Sequence, residues 1–124
     1  MGMIRVLIAD DRPQVRESLQ ALLETEDGIL VVGMARDGRE AVARAEALLP
    51  SVVLMDLEMP AMDGLAATQY LKTRKPSPGV IVLTMHEQPW AEMRARQAGA
   101  DAFVGKSAGP EVLVQAIRRV AGAG

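Results

Sequence analysis

The chain has no cysteine among its 124 residues, which excludes disulfide bonds and thiolate metal sites. Aromatic residues are almost as scarce, since Trp, Tyr and Phe together make up only 2% of the sequence. Single-stranded nucleic acid is usually bound by stacking rings in a basic groove. Fourteen Lys and Arg against 16 Asp and Glu give a formal charge of -2, so we do not expect this segment to bind DNA or RNA directly.

Long hydrophobic runs are also missing. The apolar run near the N-terminus is only a few residues long and stops at Asp10 and Asp11, so it is neither a secretory signal nor a membrane span. We therefore expect no membrane contact and a cytoplasmic location. A chain of this length is expected to form one domain that buries roughly two-thirds of its unfolded surface.

Short solid runs of apolar residues alternate with longer segments of helical periodicity. The solid runs predict five strands buried on both faces of a parallel sheet, at residues 4–9, 29–35, 52–55, 80–85 and 102–104. The periodic segments predict five helices, of which the first begins at Pro13 and the others cover about 41–49, 64–72, 89–98 and 111–121. This alternation predicts a doubly wound α/β fold over residues 1–121, and 122–124 are expected to be a tail or the start of a linker.

Polar side chains stand where four of the predicted strands end. They are Asp10 and Asp11 after the first strand, Asp56 after the third, Thr84 at the end of the fourth and Lys106 after the fifth. The flavodoxin-like strand order 2-1-3-4-5 would bring these ends together at its switch point, where such sheets bind ligands. Carboxylates suit Mg²⁺, whereas a hydroxyl and an ammonium suit phosphoryl oxygens. The set predicts a magnesium-dependent phosphoryl acceptor.

Four motifs carry these residues in a fixed order. They are IADD (8–11), VVLMDLEMPAMDG (52–64), VIVLTMHE (80–87) and GADAFVGKS (99–107). Together they resemble the receiver domain of two-component response regulators, over nearly the whole chain. The TMH segment and the lack of proline after Lys106 are more similar to NarL/FixJ-type receivers, whose full-length members carry a LuxR-type helix-turn-helix.

The resemblance implies that Asp56 is the phosphoacceptor, which takes a phosphoryl group from a sensor histidine kinase or a small phosphodonor. Thr84 and Lys106 would contact the transferred group. The implied Mg²⁺ ligands are Asp10, Asp11, Asp56 and the backbone carbonyl of Glu58. The protein would then position and neutralise the phosphoryl group without acting as a turnover enzyme.

The resemblance also implies an output. Thr84 would move toward the phosphoryl group, Phe103 would swing inward, and the face formed by helix 4, strand 5 and helix 5 would change. We expect a phosphorylation-dependent homodimer through this face. DNA would be bound only through a transcriptional output domain that this chain lacks.

Each residue also has a simpler interpretation. Asp10 and Asp11 would cap the first helix, Asp56 would be a turn residue, and Phe103 would be a fixed core ring. Thr84 alone is typical of strands and Lys106 of solvated surfaces. These interpretations would all have to fall at one sheet edge in the order of the family, which favours the phosphoacceptor.

Three other functional classes stay open. A haloacid-dehalogenase-like phosphatase also uses an aspartate nucleophile, and Asp56 and Glu58 resemble its acid pair, but its second acid pair comes late in the chain. A nucleotide- or flavin-binding module would need glycines in the first loop, which reads ADDRPQ. A stand-alone receiver or pseudo-receiver would use the same fold for protein interaction.

Several positions differ from the common family pattern. Glu58 stands where many relatives have asparagine, Met85 is bulky, and Ser107 replaces proline, so a cis bond before it would cost about 3 kcal/mol. His86 is the only histidine and, without a second His or Cys, is not expected to bind a metal.

Overall fold

The computed structural model describes residues 2–85 and 88–123, so His86 lies outside the described residues. In this part of the chain five strands alternate with five helices, as predicted. In chain order they are β1 (Ile4–Ala9), α1 (Pro13–Glu24), β2 (Ile29–Ala35), α2 (Gly38–Leu48), β3 (Val52–Met55), α3 (Gly64–Lys72), β4 (Gly79–Thr84), α4 (Pro89–Gln97), β5 (Ala102–Gly105) and α5 (Pro110–Ala123). None of these helices has the length and apolar character that a membrane crossing requires.

The five strands form one parallel sheet in the order β2-β1-β3-β4-β5, which confirms the predicted flavodoxin-like fold. The chain moves outward from β1 to β2 and then returns across β1 to β3. The carboxyl ends of β1 and β3 therefore open into the crevice where such sheets bind ligands.

Helices cover both faces of the sheet. One core cluster joins the strands to α1 and α5, and a second joins them to α2 and α3. A smaller third cluster under α4 contains Ala91 and Ala95, whose short side chains bring little apolar area to the contact. Of the three clusters, the one beneath α4 is thus the smallest.

The prediction that all five strands are buried on both faces is wrong for both edge strands: in β5, Phe103 and Gly105 are only partly buried, and the departure is larger in β2. Strand β2 lies at one edge of the sheet and pairs only with β1. Its four central residues from Val31 to Met34 are only partly buried, and Leu30 is 45% exposed. An apolar run does not distinguish an edge strand from a central one, because both favour β-branched residues.

Several predicted boundaries also shift. β4 covers Gly79–Thr84, so Met85 leaves the strand, with 64% of its surface exposed. α2 begins at Gly38, three residues before the predicted start, because the Asp37 side chain caps it by accepting a hydrogen bond from the Glu40 backbone N–H. α5 extends to Ala123, two residues past the predicted end.

Gly64 allows α3 to begin directly against the end of β3. A Cβ atom at this position would lie 1.8 Å from the backbone oxygen of Asp56, which cannot turn aside as a flexible side chain could. The backbone N–H of Gly64 also donates to the carbonyl of Leu57 at 2.9 Å. Close packing at Gly64 therefore fixes the loop that carries Asp56.

We expect Gly64→Ala to lower the free energy of unfolding by about 3 kcal/mol, the upper end of the usual cost of overpacking. Urea denaturation measures this change. The matched control is Gly122→Ala in α5, where nothing lies within 4 Å of the added Cβ and alanine favours the helix. Equal denaturation midpoints for the two variants would contradict the role assigned to Gly64.

Candidate functional site

Backbone hydrogen bonds between neighbouring strands continue one residue beyond the strand ends, into the loops at the crevice. The N–H of Asp56 donates to the carbonyl of Ala9 at 3.0 Å, and the N–H of Lys106 donates to the carbonyl of Thr84 at 2.8 Å. These bonds fix where the loop residues leave their strands. The side chains predicted from the sequence therefore start from rigid positions at one edge of the sheet.

The three aspartates predicted to bind a metal come together. One carboxylate oxygen from each of Asp10, Asp11 and Asp56 lies within 4.8 Å of the others. Asp10 and Asp56 are buried, whereas Asp11 is exposed at the mouth of the crevice. Carboxylate oxygens that converge beside solvent suit a hard divalent cation such as Mg²⁺, which keeps several waters.

Lys106 lies between the two buried carboxylates. Its Nζ atom is 2.7 Å from Oδ2 of Asp10 and 3.5 Å from Oδ1 of Asp56. The Lys106 side chain is itself only 15% exposed. Because buried carboxylates are costly without a partner, this ammonium stabilises both of them.

The surroundings raise the pKa of Asp56 above its ordinary value. Burial is the largest cause, since it disfavours the charged form. The Lys106 charge opposes the shift, the Asp10 charge adds to it, and the Arg12 charge again opposes it. The positive charges near Asp56 therefore offset only part of the cost of burying its carboxylate, and a further cation such as Mg²⁺ would stabilise the charged form.

The helix-capping interpretation of Asp10 and Asp11 is wrong. The N-cap of α1 is Arg12, and no side chain caps this helix. Asp10 instead accepts a hydrogen bond from the backbone N–H of Arg12 at 2.9 Å, and its carbonyl accepts one from Arg16 at 2.7 Å. Asp10 thus holds the loop after β1 in place while its second oxygen faces Lys106.

The remaining predicted residues take different positions. Thr84 is fully buried and lines the same cleft as Asp56, together with the exposed residue Glu58. Phe103 is half-buried and packs on the cluster under α4, so it is neither in the cleft nor in the centre of the core. Within the described residues the only cis peptide bond precedes Pro76, so the bond after Lys106 is trans.

Sequence reasoning missed Arg12. Its side chain lies over the cleft, with Nε 3.4 Å from Oδ1 of Asp10 and Nη1 3.4 Å from the sulfur of Met85. The available signal was a cation directly after the acidic pair in the motif ADDRP. Hydrophobic periodicity carries no information about such a contact between two loops.

Comparisons with known proteins agree with this geometry. The family model "Response regulator receiver domain" matches residues 6–118. Response regulator GacA of Pseudomonas protegens is 43% identical over 118 residues, which cover 95% of this chain and 55% of GacA. A protein-glutamate methylesterase/protein-glutamine glutaminase of Myxococcus xanthus is 45% identical over 109 residues, which cover 87% of this chain and 31% of that protein.

Among solved structures, the signal receiver domain of the response regulator NarL from Mycobacterium tuberculosis has a TM-score of 0.93 to this chain. It is 31% identical, and the match covers 98% of each chain. The chain spans 31% and 55% of the two longer curated relatives described above.

We expect Asp56→Asn to raise the free energy of unfolding at pH 7 by about 0.5–2 kcal/mol, the common range for stabilising substitutions. A raised pKa means that the folded state prefers the protonated carboxyl, so ionisation of Asp56 destabilises the fold as the pH rises through its ordinary and then its raised pKa. The gain should therefore shrink as the pH falls through the same window.

Urea denaturation in a chelator, across this pH range, measures the difference. Asp27→Asn is the control, because Asp27 is exposed and far along the chain from the aspartate cluster. A gain for Asp56→Asn that stays constant with pH would contradict this account.

Proposed function

Since the chain belongs to the response regulator receiver domain family of two-component systems, we propose that Asp56 accepts a phosphoryl group in a Mg²⁺-dependent reaction. Its relatives GacA and NarL are NarL/FixJ-type regulators. The observation that carries the proposal is the convergence of three aspartate oxygens within 4.8 Å, with Lys106 against two of the aspartates. A sensor histidine kinase or a small acyl phosphate would be the donor.

The proposed reaction exchanges one bond to phosphorus for another. An oxygen of Asp56 forms a bond to phosphorus while the bond to the donor's leaving atom breaks, and the leaving atom keeps that electron pair. Mg²⁺, held by Asp10, Asp11, Asp56 and the carbonyl of Glu58, would neutralise the phosphoryl oxygens when bound.

Two further side chains would contact the transferred phosphoryl group. Lys106 already lies 3.5 Å from the Asp56 carboxylate, so a short movement away from Asp10 would bring its ammonium to a phosphoryl oxygen. Thr84 ends β4 beside the same cleft and would donate its hydroxyl hydrogen to another phosphoryl oxygen. The domain is proposed to act as a switch rather than as a phosphatase, because its acid pair, Asp10 and Asp11, comes early in the chain, whereas a haloacid-dehalogenase-like phosphatase has its second acid pair late.

The output of the switch is proposed to be the face formed by α4, β5 and α5. On α4 itself, Trp90 and Met93 expose large apolar surface, 49% and 60% respectively, and this helix has the smallest underlying cluster. Phosphorylation would reorganise this face and favour a homodimer. Control of transcription through a helix-turn-helix domain is proposed from the resemblance to NarL/FixJ-type receivers, and DNA contact would belong to that domain.

A second output follows from the methylesterase relative. The matched part of that protein is 45% identical to this chain, so control of a methylesterase domain is the alternative output. The phosphoacceptor chemistry proposed for Asp56 is the same in both cases. A cytoplasmic location is proposed because the phosphodonor and a transcriptional output would both be encountered there.

We expect acetyl phosphate with Mg²⁺ to add one phosphoryl group to the chain, measured by intact mass. Chelation of Mg²⁺ or the substitution Asp56→Asn should abolish the adduct, whereas Asp27→Asn should retain it. An adduct that persists in Asp56→Asn, or that forms equally well without a divalent cation, would refute the proposed acceptor or its metal requirement.

Phe103→Ala tests whether β5 couples the site to the α4 face. We expect phosphorylation of Asp56 to persist while phosphorylation-dependent association weakens about tenfold, which corresponds to 1.4 kcal/mol. Sedimentation with and without the phosphoryl-mimicking beryllofluoride measures association. The control is Tyr70→Ala, which removes a half-exposed ring on α3, outside this face. Unchanged association of Phe103→Ala would reject the coupling.

A further inference from the structure

Arg12 is anchored by its backbone beside the acidic cluster, but its side chain is held only weakly. The backbone N–H donates to Oδ1 of Asp10 at 2.9 Å, which fixes the start of the side chain. The guanidinium contacts, to Asp10 and to the sulfur of Met85, are both 3.4 Å long. A strong charge-assisted hydrogen bond to a carboxylate is shorter than about 3 Å, and a thioether sulfur is a weak acceptor, so the guanidinium is available to a better acceptor.

The position of Arg12 also gives it access to both the cleft and solvent. Its side chain is 43% exposed, whereas the Asp10 side chain beneath it is 2% exposed. Arg12 lines the cleft together with Asp11, Asp56 and Met85. An anion that approaches Asp56 from solvent therefore passes the guanidinium before it reaches the buried ammonium of Lys106.

Charge in the cleft gives Arg12 a specific task. Asp10, Asp11 and Asp56 bring three negative charges, and Lys106 compensates only one of them. A bound Mg²⁺ would balance the other two, and an anionic phosphodonor then brings further negative charge into the cleft. The Arg12 guanidinium lies 3.4 Å from the Asp10 carboxylate and lines the same cleft as Asp56, so its positive charge is available to such an anion.

We propose that Arg12 binds the anionic phosphodonor at the mouth of the cleft and then contacts the phosphoryl group on Asp56. This inference rests on the proposed phosphoryl transfer to Asp56. Guanidinium suits the task because its planar set of N–H donors matches two phosphate oxygens at once. The bond changes at phosphorus are those given above, and Arg12 neither gains nor loses a proton.

The test measures both the rate of adduct formation and the affinity for Mg²⁺. Partial unfolding would lower both, whereas the proposal predicts a lower rate and a higher affinity. We expect Arg12→Gln to slow adduct formation from acetyl phosphate by about five- to tenfold, the range of one charge-assisted contact at a partly exposed site. The same substitution should tighten Mg²⁺ binding about two- to fivefold, because it removes a cation next to the acidic cluster.

Trp90 provides the readout for Mg²⁺. It is the only tryptophan in the chain, and it lines a groove next to the cleft together with Asp11 and Glu58. Titration of its fluorescence with MgCl₂ requires no phosphoryl transfer. Arg44→Gln is the matched control, since Arg44 is exposed on α2 and its substitution changes the net charge equally. Arg12→Lys retains the charge without the planar fork.

Slower adduct formation, tighter Mg²⁺ binding and an intermediate rate for Arg12→Lys would support the proposal. Equal rates for Arg12→Gln and Arg44→Gln would overturn it, and so would equal rates for Arg12→Gln and Arg12→Lys together with unchanged Mg²⁺ affinity. Failure of the wild type to form any adduct would instead count against the proposed function. The two failures are therefore distinguishable.

Discussion

The ammonium of Lys106 between the carboxylates of Asp10 and Asp56 is the interaction on which the site depends. Burial of two carboxylates destabilises a fold unless positive charge lies near them, and here one ammonium serves both. It also joins the ends of β1, β3 and β5, which come from distant parts of the sequence. Because Asp10 is the nearer partner at 2.7 Å, Lys106 can move toward Asp56 only by weakening its contact with the first strand.

This competition gives the site a physical route to the rest of the molecule. Lys106 follows β5 directly, and its backbone N–H is hydrogen bonded to the carbonyl of Thr84 at the end of β4. Phe103 lies three residues earlier and packs on the cluster under α4. Ala91 and Ala95 give that helix few apolar atoms to hold it, and such segments are the ones that change at low cost. The proposed switch would therefore act where the fold is least firmly packed.

The central strands and the strand order were predictable because apolar runs in strict alternation with helices leave few other topologies. The set Asp10, Asp11, Asp56 and Lys106 was predictable for the same reason, since parallel strands bring their carboxyl ends to one edge. The exposure of β2 is not recorded in its apolar run, but it follows from the predicted strand order, which places β2 at an edge of the sheet. Arg12 was missed because its contacts with Asp10 and Met85 join two loops, and no periodic pattern records such contacts.

The two cations of the cleft, Arg12 and Lys106, differ in how deeply they are buried. This difference determines which of them an incoming anion is proposed to meet first. Lys106 is 15% exposed and already paired with a buried carboxylate, so it serves an anion only after that anion has entered. Arg12 is 43% exposed and its guanidinium contacts are long, so it meets an anion in solvent. An exposed cation at the mouth of the cleft and a buried one inside it would together attract an anion toward Asp56. Burial raises the pKa of Asp56. Burial also strengthens the electrostatic interaction between Asp56 and a nearby cation, because solvent screens charges less at the inner end of the cleft.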